Sequence, residues 1–323
     1  MQKCLKTLRT KHRLVANSGK SFQGSIVLGK GFVLTPDQAE DLIQRDPRNK
    51  DVLFPYLNGE DLNSRPDCSA SRWVINFHDW PEERAREYPE PFAIIERDVK
   101  PERMKVKHSK NARARWWLYE RSRPELYKRI SRQERVLVVA LVSRTVMPAR
   151  VSSNQVLAHK LAVFTRSLDR DLALLSSSFH SCWAWKNSST LKADLNYSPS
   201  DVFETLPHPD GSGEMDTQGA TLACMRTEIM ADRKIGLTKL YSAFHDPRIT
   251  DEEIKSLRSV HAEIDQAVAP AYGWNDLDMK HSFNETRQGV RFCLPRLTQT
   301  EITDRLLDLN HAVQRTEELP GIV

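Results

Sequence analysis

The spacing of apolar residues predicts β-strands in the first part of the chain and helices in the last. Short runs rich in β-branched residues predict strands at Trp73–Phe77, Val136–Val142 and Val156–Phe164. The last two runs lie close together and are expected to pair as an antiparallel hairpin. Two β-favouring pieces at Ser25–Leu28 and Gly31–Leu34 predict another hairpin, because glycines separate them.

Helix starts are indicated by residues that can cap the first turn. Thr35 precedes Pro36, which suits a first helical turn, and an apolar stripe follows. Thr250 and Thr298 are each followed three residues later by glutamate, and each predicts a capping box that opens a helix. A further helix is predicted around Thr221–His245.

Two segments are predicted to be irregular. Residues Phe54–Asn63 combine aromatics, proline and glycine, a composition typical of a tight ordered turn. Residues His208–Gly213 form a Pro/Gly/Ser-rich linker and mark the best candidate domain boundary. The predicted fold class is α+β, with a mixed or antiparallel sheet domain followed by a mainly helical one. The predicted division is 1–20, a basic connector; 21–209; and 210–323, the helical domain.

Composition excludes several classes of protein. The chain has 323 residues, 39% of them hydrophobic, which is enough for a substantial core. It has no apolar run of membrane-spanning length and no signal-peptide pattern, so a cytoplasmic protein without a membrane partner is expected. Its five cysteines lie far apart without a Cys-x-x-Cys pair, which suggests neither a disulfide framework nor a metal site.

Positive charge is concentrated in one stretch, Arg97–Arg150. It contains sixteen Lys and Arg residues against five Asp and Glu, whereas the whole chain has a net charge of only +5. The stretch also contains the pair Trp116 and Trp117 and ends in the apolar run at 136–142. Cations clustered beside a buried strand are typical of a polyanion-binding face. The alternative is an ordinary solvated charged face.

No catalytic motif is present. The sequence has no Gly-x-Gly-x-x-Gly after a strand, no Walker loop, no His-Glu-x-x-His and no Gly-x-Ser-x-Gly. It also has no Asn-Pro pair of the kind with which amino-methylating enzymes hold an adenine, and its ten histidines are scattered. No catalytic residue is therefore predicted.

Several motifs occur in the order found in a known family. The motifs of the first part are Ser21–Gly24, Phe54–Asn63, Arg72–Phe77, Val99–Arg103, Trp116–Trp117 and Tyr197–Thr205. Those of the second part include Gly236–Tyr241, Ala271–Trp274 and Arg305–Asn310. Together they resemble the C-terminal part of type IIG/IIL restriction-modification enzymes, which join an adenine-specific DNA methyltransferase to a target recognition domain.

The resemblance implies a DNA target recognition domain over 21–209 and a helical C-terminal domain over 210–323. Double-stranded DNA is the implied partner, and S-adenosylmethionine is the cofactor of the complete enzyme, with none bound by this chain. The complete enzymes place their methyltransferase motifs before this region, so this chain is expected to be a truncated or split product that is inactive alone. Whether a methyltransferase domain acts in trans or has been lost stays open.

Candidate DNA contacts follow from the resemblance, which implies that bases are read from the hairpin region that here spans Arg135–Phe164, and from residue type. Arg144 and Arg150 are predicted to contact bases, because arginine can donate two parallel hydrogen bonds to guanine. The alternative is that both are merely exposed strand-end residues. Contacts to phosphates are predicted for Lys105, Lys107, Lys110, Arg113, Arg115, Arg121 and Arg123. A different class of function also stays open, in which the helical ending is a protein–protein scaffold and the basic face is incidental.

Overall fold

The computed structural model of the chain describes residues 10–106 and 109–318. The strands of these residues are β1 (Ser21–Gln23), β2 (Val33–Leu34), β3 (Leu53–Leu57), β4 (Arg72–Ile75), β5 (Arg135–Ala140), β6 (Val142–Ser143), β7 (Ala149–Ser152), β8 (Val156–Leu157), β9 (Leu161–Phe164), β10 (Ser189–Leu191), β11 (Asp194–Asn196), β12 (Ser282–Thr286) and β13 (Gly289–Cys293).

The helices are α1 (Pro36–Arg45), α2 (Gly59–Ser64), α3 (Glu82–Ala85), α4 (Pro89–Asp98), α5 (Lys100–Met104), α6 (Lys110–Ala114), α7 (Pro124–Ile130), α8 (Asp169–Ser176), α9 (Ser178–Asn187), α10 (Gly213–Arg233), α11 (Leu237–Phe244), α12 (Glu252–Ala271) and α13 (Arg296–Glu317). Most of the strands come before α8, with short helices between them, and long helices predominate after it. The α+β prediction is confirmed.

The first sheet contains the strand with the longest buried run in the described part of the chain. Its order is β1-β9-β5-β7, with every neighbouring pair antiparallel. Strand β5 lies inside the sheet, and its residues 136–140 are all buried, so the run is continuously apolar rather than alternating. The predicted antiparallel pairing of β5 with β9 is confirmed. The two do not form a simple hairpin, because β7 and β8 lie between them in the chain and β7 takes the other side of β5.

The second sheet has the order β2-β4-β3-β8 and is mixed, since β3 and β8 run parallel. The strand predicted around Trp73 is confirmed as β4. The predicted turn at 54–63 is wrong, because these residues form most of β3 and helix α2. Proline is tolerated in β3 because β8 pairs only with Tyr56 and Leu57, leaving Pro55 without a partner on that side.

The hairpin predicted at 25–34 is also wrong. Ser25 and Ile26 instead form bridges with Ala158 and Arg121, and Val33–Leu34 pairs with β4. These partners are distant in sequence, so no local pattern could have indicated them. The hairpin β12–β13, in the part predicted to be helical, was likewise not expected from the sequence.

Capping predictions succeed at α1 and fail later. Thr35 accepts a hydrogen bond from the Gln38 backbone while Gln38 bonds back, a complete capping box. Helix α12 instead begins at Glu252 after Asp251, and α13 begins at Arg296, so the boxes predicted at Thr250 and Thr298 are wrong.

The single helix predicted around 221–245 is two helices, α10 and α11. The break follows from backbone geometry. Lys234 ends α10 in the left-handed conformation, and Gly236 lies so close to the Ser64 backbone that a Cβ atom there would be 2.3 Å from the Ser64 carbonyl carbon.

One large core joins the first sheet to the helices. It contains Phe164 and Leu137 from the sheet, and Leu222, Leu257 and Leu306 from α10, α12 and α13. Residues from both sides of position 209 therefore share it, and the domain division stays a prediction. A second, smaller core surrounds the second sheet.

The pair Trp116 and Trp117 belongs to the smaller core. Both rings are buried, and Trp116 packs edge-to-face on Phe92. Neither ring is presented to a ligand, so these aromatics anchor the basic stretch rather than form part of its surface. None of the helices in the described part of the chain is both long and apolar enough to cross a bilayer.

Candidate nucleic-acid interface

Segments distant in sequence meet at one end of the first sheet. This is the end at which β5 finishes, and β1 and the turn before β9 lie there too. Gln23 of β1 pairs with Ala162, and the adjacent Leu161 of β9 pairs with Ala140 of β5. Neighbouring strands lie about 4.8 Å apart, so β1 and β5 are about 10 Å apart here. The turn before β9 lies at the same end, since the Gln23 side chain donates to the His159 carbonyl at 2.7 Å.

Four cations line this end of the sheet. The Arg123 guanidinium donates to the Gly24 carbonyl at 3.3 Å and to the Gln23 side chain at 3.4 Å. Lys160 is exposed in the turn before β9, and its carbonyl accepts from the Leu141 backbone. Arg144 follows β6, and its side chain is 71% exposed. We call these three residues and Arg121, which bridges to Ile26, the basic edge.

Three of the predicted phosphate contacts line one cleft of about 280 Å³ beside the basic edge: Arg115, Arg121 and Arg123. In the described ranges none of the three forms an ion pair. Glu120, which also lines the cleft, is held by the buried Arg103 at 3.3 Å. Asp79 also lines the cleft, where its carboxylate accepts from the Ser122 hydroxyl at 2.7 Å. The three arginines outnumber these two acids, and no ion pair joins them in the described ranges.

The electrostatics of Arg123 also favour a bound anion. Burial and the nearby charge of Arg121 both lower the pKa of Arg123. Both effects disfavour its charged form, and a bound anion would relieve them. The backbone of Arg123 is itself in the left-handed conformation, which sets the direction of its side chain at the start of α7.

The other predicted phosphate contacts are more dispersed. Lys105 and Lys110 are exposed, whereas Arg113 is half-buried and donates to the Val106 carbonyl at 2.9 Å. Lys107 lies outside the described residues. The structure thus groups Arg115, Arg121 and Arg123, and places Lys105 just after α5 and Lys110 and Arg113 on α6.

The two predicted base contacts lie in different surroundings. Arg144 belongs to the basic edge, and among the described residues its side chain bonds to Asp194, at 3.3 Å. Arg150 lies opposite Leu137 in the sheet, has a side chain only 21% exposed and pairs with Asp169 at 2.7 Å. The structure does not bring the two arginines together, and base contact by either one stays a prediction.

Sequence reasoning missed other cations near Arg144. These are Lys160, Lys192, Arg287 and Arg291. They come from three separate hairpins or turns and form no charge run, so only pairing across the fold reveals them. The Gln288 side chain shows this proximity, because it donates to the Arg144 carbonyl at 3.2 Å.

No catalytic constellation was found in the described residues. They contain no group of three or more His, Cys, Asp or Glu side chains that could hold a metal ion. Burial lowers the pKa of His180 to about 4 and that of His261 to about 3, so both are neutral packing residues at ordinary pH. The site is defined by cations.

The fold and the basic edge define a class of protein: an α+β recognition module with a cationic surface. More particularly, the chain belongs to the family of the target recognition domain of MmeI, whose family model matches residues 10–210. The resemblance to type IIG/IIL restriction-modification enzymes is thereby confirmed. No curated protein matches the chain.

A solved structure of the type IIL restriction-modification enzyme MmeI in complex with DNA is similar to this chain. The two are 19% identical with a TM-score of 0.63, over 92% of this chain and 36% of that one. At this identity the similarity concerns the fold. The chain spans about a third of the length of that enzyme.

Proposed function

We propose that the chain is the sequence-specific DNA-binding portion of an adenine-N6 DNA methyltransferase of the restriction-modification type. One observation carries the proposal: the chain belongs to a target recognition family over residues 10–210. The MmeI structure with the same fold is a complex with DNA. The basic edge and its cleft supply a surface of the charge that DNA requires. This role implies a cytoplasmic location.

In this proposal the arginines of the cleft bind the phosphates of the DNA backbone. Arg115, Arg121 and Arg123 line one cleft and form no ion pairs in the described ranges, so each can neutralise a phosphate without breaking an existing ion pair. Lys105, Lys107, Lys110 and Arg113 are kept as further candidate phosphate contacts, of which Lys107 is argued from the sequence alone. Such contacts fix the register of the protein on the duplex and carry no sequence information.

Base contact is assigned to Arg144 and Arg150, with Arg144 the stronger candidate. An arginine in the major groove can donate two hydrogen bonds to guanine O6 and N7. Arg144 is free to do so after losing one exposed ion pair. Arg150 would first have to leave Asp169, to which it donates at 2.7 Å.

Methyl transfer requires groups that this sequence does not contain. S-adenosylmethionine supplies the methyl group in the complete enzyme. The sequence has neither a donor-binding glycine motif nor an Asn-Pro-Pro motif to hold the adenine. We therefore assign no catalytic residue, and a methyltransferase domain is the second partner of the chain.

The scaffold alternative is less well supported. It makes the helical ending the functional part, whereas the family match covers the sheet-containing part. A scaffold also gives no reason for three arginines to line one cleft at the end of the first sheet without ion pairs in the described residues.

The proposal is tested by titrating the chain with mixed-sequence duplex DNA between 50 and 200 mM salt, roughly the range over which such contacts weaken binding steeply. Each neutralised phosphate contributes about 0.9 to the slope of log affinity against log salt, so the three cleft arginines predict a slope of roughly −3 or steeper. Absence of binding at low salt, or a flat response, would contradict the proposal. Incubation with labelled S-adenosylmethionine should leave the DNA unlabelled, and incorporation would show that the chain is catalytic.

A further inference from the structure

The hairpin β12–β13 extends from the helical part of the chain and ends beside the basic edge. Its strands pair from Ser282 with Cys293 to Thr286 with Gly289, leaving Arg287 and Gln288 in the turn. It lies beyond residue 210, where the family match ends.

The turn of this hairpin is held in one conformation. The Thr286 hydroxyl donates to the Gly289 carbonyl at 2.7 Å and accepts from the Gln288 backbone at 3.1 Å. Gly289 has φ of 88°, which a glycine adopts without strain. A fixed turn loses little conformational entropy on binding, so it presents its side chains at low cost.

The base of the hairpin is anchored in the core. Phe292 packs edge-to-face on Phe244 of α11, with ring centres 5.6 Å apart. Leu294, immediately after β13, is completely buried. The hairpin therefore projects from α11–α13 as a rigid arm rather than as a loose loop.

The tip of this arm touches the segment that carries Arg144. Gln288 donates through its side chain to the carbonyls of Arg144, at 3.2 Å, and Ala193, at 3.5 Å. Ala193 lies in the turn between β10 and β11, and β11 pairs with β6 just before Arg144. Three turns distant in sequence thus meet at one place.

Cations outnumber acids at this meeting point. Arg287 and Lys192 are exposed, and Arg291 is half-buried with an Nε atom that has no hydrogen-bond partner. Over residues 10–106 and 109–318, none of these three side chains forms an ion pair. Asp194 is occupied by Arg144. Glu285 pairs with Val290, on the face opposite the one that Arg291 shares with Asn284.

Arg291 is electrostatically unsatisfied. Burial lowers its pKa, and the positive charge of Arg144 lowers it further. Asp194 pairs with Arg144, and no carboxylate of the described residues pairs with Arg291, so an anion from outside the chain would relieve the repulsion on Arg291. The β12–β13 arm accordingly has the charge and the rigidity of an anion-binding element.

We propose that the β12–β13 hairpin is a second DNA-contacting element, in which Arg287, with Lys192 and Arg291 beside it, binds backbone phosphates next to the Arg144 segment. The inference rests on the proposed function and adds a partner surface that belongs to the helical part. The contact is to phosphate rather than to bases, so it should not depend on DNA sequence. The bond from Gln288 to the Arg144 carbonyl makes Gln288 a positioning residue for that segment.

The experiment compares full-length variants in the salt titration described above. Arg287→Ala should lower the salt slope by about one and weaken binding about eightfold at 0.1 M salt, on every duplex alike. Arg287→Lys retains the charge and should keep nearly the wild-type slope. Both changes lie in an exposed turn, and circular dichroism would verify that each variant folds.

Arg315→Ala is the matched control. Arg315 is an exposed arginine without a hydrogen-bond or ion-pair partner in the described chain, and it lies about 28 Å along α13 from the arm. Its removal should leave the slope unchanged. If wild type binds with a steep slope and Arg287→Ala matches Arg315→Ala, the arm makes no phosphate contact and only this inference fails. If wild type itself does not bind, the proposed function fails with it.

Discussion

Substitution of Arg144 tests whether the basic edge contacts bases. The Arg144 side chain is 71% exposed, and its one ion pair, with Asp194 at 3.3 Å, is also largely exposed. Such a pair contributes about 0 to 1 kcal/mol to stability, so Arg144→Ala should fold almost as stably as wild type. Any large effect on DNA binding would then come from the interface.

The expected magnitude follows from the geometry of an arginine on guanine. Loss of a two-bond contact costs about 1 to 3 kcal/mol on the cognate site, or roughly 5- to 140-fold in affinity. Binding to other sequences should fall much less, because there the matched base is missing. Arg144→Lys keeps the charge but loses the planar fork, so it should also relax specificity while leaving the salt slope intact.

Arg150→Ala serves as the contrasting variant. Its pairing with Asp169 at 2.7 Å is partly buried, so its loss should lower the free energy of unfolding by about 1 to 2 kcal/mol. The Asp169 carboxylate keeps a favourable interaction when Arg150 is removed, because it lies in the first turn of α8, where the helix dipole favours a negative charge.

The assay is a selection from randomised duplexes, together with urea unfolding of each variant. Recovery of the wild-type motif by Arg144→Ala at undiminished enrichment would refute base contact by Arg144. If Arg150→Ala recovers a relaxed motif and Arg144→Ala does not, then Arg150 rather than Arg144 contacts the base.

Three further outcomes are expected. Arg121→Ala should lower the salt slope by about one for all duplexes, as measured by titration, and an unchanged slope would remove Arg121 from the phosphate surface. Phe164→Ala should lower the free energy of unfolding by about 3 to 5 kcal/mol in urea, because the ring is fully buried against Phe203 at 4.8 Å. The pKa of His261 is lowered by burial to about 3, so the unfolded chain binds a proton there below about pH 6.5 and the folded chain does not. His261→Gln should therefore reduce the loss of stability between pH 6 and about 4 by about 1.4 kcal/mol per pH unit, and an identical pH dependence in wild type and variant would show that His261 is not buried neutral.

Local sequence determined the features that depend on neighbours in the chain. The Thr35 capping box specified α1, because both partners of each hydrogen bond lie within four residues. The apolar run at 136–142 indicated a buried strand because it is short and rich in valine, and most of it forms β5. The order of short motifs was enough to identify the family. Charge counting located the stretch that contributes Arg115, Arg121 and Arg123.

Only the tertiary structure decided what those elements contact. The segment at 54–63 became a strand and a helix, and the strand forms because β4 and β8 pair with it, partners that both follow it in the chain. Tertiary packing likewise placed Trp116 and Trp117 in a core, beneath the cations they accompany. It joined Arg144 to a hairpin more than a hundred residues away, through one hydrogen bond from Gln288. Sequence fixes local propensity and charge, but the free energy of burying distant surfaces selects among the possible pairings, and that selection forms the basic edge.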